Sequence, residues 1–192
     1  MKKKNSLITL LGLGLILVSL VLLLFPTQLY HLKPKSEISK EILKNLTKLG
    51  KEALKSNDVP VAALLIYQDT IIGKGYNTVF DKKELSGHAE INALNMAFEK
   101  YGTEFYALDR NKLYLYSSFE PCEMCKGAII HYNIDNVYFE QGKSVFHQFK
   151  STLKELKYEF SKKKIDAENL QENLFMQHPD YYKNSYNYLN EE

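Results

Sequence analysis

Cysteine is scarce in this sequence: Cys122 and Cys125 are its only two. A disulfide-stapled scaffold is thereby excluded, and a chain of 192 residues is long enough to bury a core without staples. A structural zinc site built on four cysteines is excluded as well. An excess of one charge is also lacking. With 25 Lys and Arg against 23 Asp and Glu, the formal net charge is +2, which gives no general pull toward polyanions; contact with nucleic acid would have to come from a local site. No internal repeat is visible. The length fits one ordinary domain with attachments.

Charge is absent altogether from Ser6 to Phe25, a 20-residue run rich in Leu, Ile and Val that follows Lys2, Lys3 and Lys4. That is the length a helix needs to cross a bilayer core of roughly 30 Å. The run exceeds the apolar region of a cleaved signal peptide, and Pro26-Thr27-Gln28-Leu29-Tyr30 offers no small-residue cleavage site. Residues 1–35 are therefore expected to form a membrane anchor and linker, making the chain a single-pass membrane protein. The lysines before the run are nearly balanced by Lys33, Lys35, Lys40 and Lys44 after it, so the charge rule leaves the orientation open.

Beyond the linker, Ser36 and Ser39 are candidate N-caps, and Ile38, Ile42, Leu46, Leu49, Ala53 and Leu54 recur on one face of an amphipathic helix. Two apolar runs, Val59–Tyr67 and Thr70–Asn77, are separated by Gln68-Asp69 and read as a hairpin whose first strand is buried on both faces. A polar loop, Thr78–Gly87, leads into a helix over His88–Phe98. Leu113–Tyr116 reads as a third strand, Cys122–Tyr132 as a third helix and Asn136–Phe139 as a fourth strand. Strands three and four should run parallel across a right-handed crossover, and helices covering a mixed sheet give an α/β sandwich. The domain is expected over 36–150. Beyond Gln141 the chain turns polar and helical with Phe149, Leu153, Leu156 and Phe160 in one stripe, and residues 151–192 read as a helical, Tyr-rich extension with a solvated Lys162–Lys164 run and Tyr181, Tyr182, Tyr186 and Tyr188 loose or peripheral.

The chemistry gathers in two short motifs. A catalytic zinc needs three N or S ligands and one open position, and His88, Cys122 and Cys125 can supply the three. His88 and Cys122 each begin a helix, where the positive end of the helix dipole favours a thiolate. Cys125 lies one turn after Cys122, so both sulfurs can face one point. Glu90, two residues after His88, is better placed as a proton carrier than as a fourth ligand. It can take a proton from a water at the open position and pass it to a ring nitrogen and then to a departing amine.

Together, His88-Ala89-Glu90 and Pro121-Cys122-Glu123-Met124-Cys125 resemble the H-x-E…P-C-x-x-C signature of the zinc nucleobase deaminases. The resemblance runs in order through Asp58-Val59-Pro60-Val61-Ala62-Ala63, Gly73-Lys74-Gly75-Tyr76-Asn77, Gly87–Leu94 and Phe119–His131. It is to the branch that holds the tRNA adenosine deaminases and the guanine deaminases, within the cytidine and deoxycytidylate family. It implies a cytidine-deaminase-like three-layer α/β sandwich, a Zn2+ cofactor and a homodimer. It also implies that Asn77 contacts the substrate base or sugar; Ala89 and Glu120, beside the two motifs, stand with it as substrate-binding candidates. Where that branch carries Asp-Pro-Thr-Ala before the motif, this chain has Glu84-Leu85-Ser86-Gly87, which changes the loop over the pocket.

Blander readings compete residue by residue. A lone Cys-x-x-Cys also suits a thioredoxin-like redox pair, but that leaves His-x-Glu unexplained. His131, in mid-helix, reads as a packing or dimer-contact residue, Glu120 as an exposed capping carboxylate and Glu123 as a solvated helix charge. The expected activity is hydrolytic deamination of a purine-type nucleobase, nucleoside or nucleotide with release of ammonia. The alternatives are deamination of adenosine to inosine in tRNA, which would need a basic surface, and deamination of a cytosine-type nucleoside.

Overall fold

Ser39 supplies the cap that the apolar spacing of the following segment calls for: its Oγ accepts the Ile42 N–H at 3.2 Å, and helix α1 spans Lys40–Lys55. The chain then forms strand β1 (Ala62–Tyr67) and strand β2 (Thr70–Tyr76). Gln68 and Asp69 between them both take positive φ, 47° and 63°, the conformation that lets a two-residue turn follow the twist of a hairpin. A short helix, α2 (Val79–Lys82), interrupts the expected polar loop. Helix α3 (Ala89–Tyr101), two 3-10 turns, strand β3 (Leu113–Phe119), helix α4 (Glu123–His131), strand β4 (Asn136–Gln141) and helix α5 (Val145–Ser161) follow.

The computed structural model describes residues 12–19, 37–163 and 176–177, in two units, Met1–Thr152 and Leu153–Glu192. Of the run expected to cross a membrane, residues 12–19 are described, and they are helical; the rest of Ser6–Phe25 lies outside the described residues. Among the described residues no helix is long and apolar enough to cross a membrane. The anticipated tyrosine cluster Tyr181, Tyr182, Tyr186 and Tyr188, and Lys164, also lie outside them. In the second unit, the end of α5 exposes Leu153, Leu156 and Phe160, and Lys162 pairs with Glu159 while lying 5.8 Å from the Tyr158 ring centre.

In the first unit the sheet order is β2-β1-β3-β4. The pairings β1–β2 and β1–β3 are antiparallel and β3–β4 is parallel, so the sheet is mixed, as expected. Central β1 shows why its apolarity is continuous. Ala63 and Leu65 face a core shared with Ala93, Leu94 and Ala97 of α3 and Ile129 of α4, whereas Ala62, Leu64 and Ile66 face Leu46 of α1. Leu64 and Leu65 are fully buried, each contributing about 1.5–3 kcal/mol relative to an exposed side chain.

Helix α3 lies unusually close to β2 because two glycines lack side chains. A Cβ at Gly75 would stand 1.9 Å from the Ala89 carbonyl oxygen, and one at Gly73 2.1 Å from that of Ala93. Neither backbone oxygen can retreat without moving the helix. The two glycines thus set the distance at which α3, and the residues at its start, ride over the sheet.

Candidate metal centre

Helices α3 and α4 begin on residues that are poor conventional caps. His88 is the N-cap of α3 and Cys122 that of α4, both with extended backbone, and neither side chain caps its own helix. A Ser, Thr, Asp or Asn would ordinarily turn inward to bond a free N–H. Here the two side chains turn toward each other instead: the Cys122 sulfur lies 3.4 Å from His88 Nδ1. Cys125, one turn into α4 and fully buried, brings its sulfur within 3.6 Å of both His88 Nδ1 and the Cys122 sulfur.

These separations test the donor set for a metal. Tetrahedral zinc, with bonds of about 2.3 Å to sulfur and about 2.05 Å to nitrogen, requires sulfurs about 3.8 Å apart and sulfur–nitrogen separations of about 3.6 Å. The observed 3.6 Å, 3.4 Å and 3.6 Å match to within about 0.2 Å, the tolerance expected of a genuine site. The residues fit zinc. Three protein donors leave a fourth vertex, as in catalytic rather than structural sites. Among the described residues, this is the one trio of His, Cys, Asp or Glu donors converging on such a point. His131 is not part of it; its ring meets Tyr132 edge-on at 5.0 Å.

The Cys122 and Cys125 sulfurs lie 3.6 Å apart, within hydrogen-bond reach of each other. That contact, with His88 and the N–H groups of the first turn of α4, lowers the Cys122 thiol to about 5 against the opposing effect of burial. Cys125 moves the other way: its contact with the Cys122 sulfur, its burial and the Glu90 carboxylate it faces all raise it.

Glu90 is 3% exposed. One of its oxygens, Oε1, accepts the Ser117 hydroxyl at 3.0 Å, and Oε2 accepts the Cys125 S–H at 3.2 Å. The carboxylate expected to carry protons therefore stands beside the ligand cluster. Ser117 was not anticipated, though β3 carried a signal: Leu113, Leu115 and Ser117 alternate onto the buried face, and a hydroxyl in an inward series of leucines needs a partner.

The remaining candidates divide. Asn77 is buried at the end of β2, and its Oδ1 accepts the Val79 N–H at 3.2 Å. The next residue, Thr78, donates its N–H to the Gly87 carbonyl at 2.7 Å, and Asn92 of α3 donates to the Tyr76 carbonyl at 2.8 Å and the Thr78 hydroxyl at 2.9 Å. The Asn77 corner is thereby tied to the residue preceding His88. Ala89 packs its methyl into the core, 1% exposed. Glu120 is half-buried rather than exposed, and accepts the Lys143 N–H at 2.6 Å. Glu123, read as a solvated charge, accepts the Ser151 hydroxyl and lies 3.8 Å from Lys143 Nζ.

A mixed sheet between helices, with one imidazole and two sulfurs gathered at two helix starts, defines a zinc-binding α/β domain. The chain belongs to the family described as the cytidine and deoxycytidylate deaminase zinc-binding region, whose model matches residues 36–141. It is 40% identical over 94 residues to a tRNA-specific adenosine deaminase of Buchnera aphidicola subsp. Baizongia pistaciae, covering 47% of this chain and 54% of that protein. It is 33% identical over 97 residues to the tRNA-specific adenosine deaminase of Aquifex aeolicus, covering 50% of this chain and 62% of that protein. The chain thus spans little more than half the length of these curated relatives. The crystal structure of guanine deaminase from Bacillus subtilis superposes with a TM-score of 0.56 at 23% identity, over 72% of this chain and 92% of that one; this likeness is one of fold.

Proposed function

We propose that the chain is a hydrolytic deaminase of a purine-type nucleobase, nucleoside or nucleotide. The observation that carries the reading is the buried Glu90 carboxylate, fixed by Ser117 at 3.0 Å and set 3.2 Å from the Cys125 sulfur, beside a donor set that leaves one vertex for water. His88, Cys122 and Cys125 would hold zinc, which would supply a Lewis acid able to make a water molecule a nucleophile near neutral pH. Glu90 takes a proton as the water oxygen adds to the amidine-like carbon, and delivers it to the adjacent ring nitrogen. It then carries the water's second proton to the exocyclic amine, which leaves as ammonia while a carbonyl forms. Glu90 ends as it began. Asn77 at the β2 corner, the first-turn N–H of Ala89 and the Glu120 loop are the groups proposed to hold the substrate.

The purine preference is supported by the ordered sequence blocks around both motifs. A second reading, deamination of adenosine in tRNA, is favoured by the 40% identity to a protein of that name; the net charge of +2 weighs against a large polyanion. One panel separates the readings: ammonia release from guanine, adenine, cytosine and their nucleosides and nucleotides, alongside inosine formation in tRNA. Turnover of purines supports the proposal, turnover of cytosine compounds alone overturns it, and inosine in tRNA without small-molecule turnover establishes the second reading. Anchoring through Ser6–Phe25 and assembly as a homodimer belong to the same proposal, to be measured by membrane fractionation and by particle mass in detergent.

A further inference from the structure

Lysine is seldom buried, because its ammonium keeps its hydration unless partners replace it. Lys143, in the segment between β4 and α5, is 9% exposed, and its side chain only 7%. Its partners are concentrated on one short stretch of chain. Its backbone N–H donates to Glu120 Oε2 at 2.6 Å, its Nζ donates to the Pro121 carbonyl at 2.9 Å, and the same Nζ lies 3.8 Å from Glu123 Oε1. Those three residues surround Cys122 on both sides.

The grip is reinforced from the same direction. The Gln148 amide donates to both Glu120 oxygens, at 3.3 and 3.5 Å, and the Glu120 N–H donates to the Gln141 carbonyl at 2.8 Å. Cys122 needs such a hold. It lies at the N-cap, tied to α4 through its carbonyl, which accepts the Lys126 N–H at 2.7 Å, but with extended backbone, and it follows a proline that donates no backbone N–H. Cys125, by contrast, is fixed by the helix itself. Of the two sulfurs, Cys122 is the one whose position depends on its loop.

We propose that Lys143 is a positioning residue of the metal centre: by holding Glu120, Pro121 and Glu123 it sets the place of the Cys122 sulfur, and with it the affinity and geometry of zinc binding. Groups that orient a ligand without touching the metal commonly change its affinity by about 10–100-fold when removed. This role is separate from substrate choice and stands whichever amine the site removes.

The test is made on the full chain, reading metal binding rather than turnover. Zinc affinity is measured by competition with a chromophoric chelator, and cobalt(II) is substituted to read its ligand-field bands. Lys143→Met keeps the stem and removes the ammonium; it should bind zinc about 10–100-fold more weakly, with shifted cobalt bands and a smaller rise in melting temperature when zinc is added. Lys112→Met, at an exposed pair with Asp109, should match the parent. Should Lys143→Met fail to fold, Lys143→Arg keeps a cation but cannot place one compact ammonium on the Pro121 carbonyl, and weaker zinc binding is expected there as well. If the folded variant matches the parent in affinity and cobalt spectrum, or loses stability equally with and without zinc, the proposal is overturned.

Discussion

Ser117 and Glu90, 27 residues apart in sequence, form a hydrogen bond of 3.0 Å in the interior. It joins the central sheet to the first turn of α3, and it fixes one oxygen of the carboxylate while the other faces the Cys125 sulfur. A buried carboxylate left to choose its own rotamer would spend part of its time turned away from the ligand cluster. The serine removes that freedom, and it does so from a rigid strand rather than from a loop.

Removing the serine hydroxyl should therefore impair chemistry without removing the metal. A hydrogen bond to a charged group contributes about 1.5–3 kcal/mol, and each 1.4 kcal/mol or so lost from the transition state is about tenfold in rate. Ser117→Ala is expected to lower kcat/KM by about tenfold or more, with zinc content unchanged and a cooperative thermal transition retained. Steady-state ammonia release and metal analysis on the same sample check this. Unaltered turnover would show that Glu90 is oriented by something else.

Glu90 and Cys125 should separate into two phenotypes although they touch. Glu90→Gln keeps the shape of the side chain but cannot accept a proton, so zinc should remain while turnover falls by about 10²–10⁴-fold. Cys125→Ser removes a soft ligand, and both zinc and turnover should be lost, with the stabilisation that zinc gives the folded state lost too. Zinc stoichiometry beside turnover decides the matter; a Glu90→Gln protein devoid of zinc would make Glu90 a ligand instead of a proton carrier.

Gly75→Ala should act on the site from beneath. The added carbon would sit 1.9 Å from the Ala89 carbonyl oxygen and 2.6 Å from the Ala93 nitrogen, both backbone atoms, so α3 must rise from the sheet. Overpacking of this kind costs about 1–3 kcal/mol. Because His88 and Glu90 lie at the start of α3, zinc affinity should fall along with stability. Chelator competition and thermal unfolding measure the two; a destabilised protein that binds zinc normally would mean the shift is absorbed farther along the helix.

The metal ligands were legible in the sequence because each motif is local. His88 and Glu90 share one helical turn, as do Cys122 and Cys125, and the helix starts are marked by composition. The hairpin and the parallel fourth strand were legible for similar reasons. What the sequence hid acts across long separations. Asp58 caps a helix 22 residues away, Lys143 reaches back 22 residues to Pro121, and Ser117 reaches Glu90 across 27. Helix α2 escaped notice because four residues, Val79–Lys82, have no periodicity to read; its cap comes from the chain before β1. Ala89 shows the opposite limit. Its place inside the motif marks it as a substrate-contact candidate without showing that its side chain serves the core, which leaves that role to its backbone N–H.

Asp58 gives the fold a pH dependence whose sign can be worked out. It is buried, 2% exposed. Its oxygens accept the Phe80 N–H at 2.8 Å, the Asp81 N–H at 3.2 Å and the Ser56 hydroxyl at 2.8 Å. Burial by itself raises the carboxyl, but these bonds, joined by the Val79 N–H, outweigh it and hold the group below its ordinary value of 3.8. A carboxyl depressed on folding stabilises the folded state fully above its unfolded value, and that contribution disappears as pH falls through the lower folded value. Asp58→Asn should accordingly melt at a lower temperature than the parent near neutrality, by an amount that stays level down to about pH 5 and narrows below about pH 4. Melting curves of both proteins from pH 7 to pH 3 test this. A gap that stayed constant, or widened in acid, would mean that the ionised carboxylate is not what holds the α2 corner beside His88.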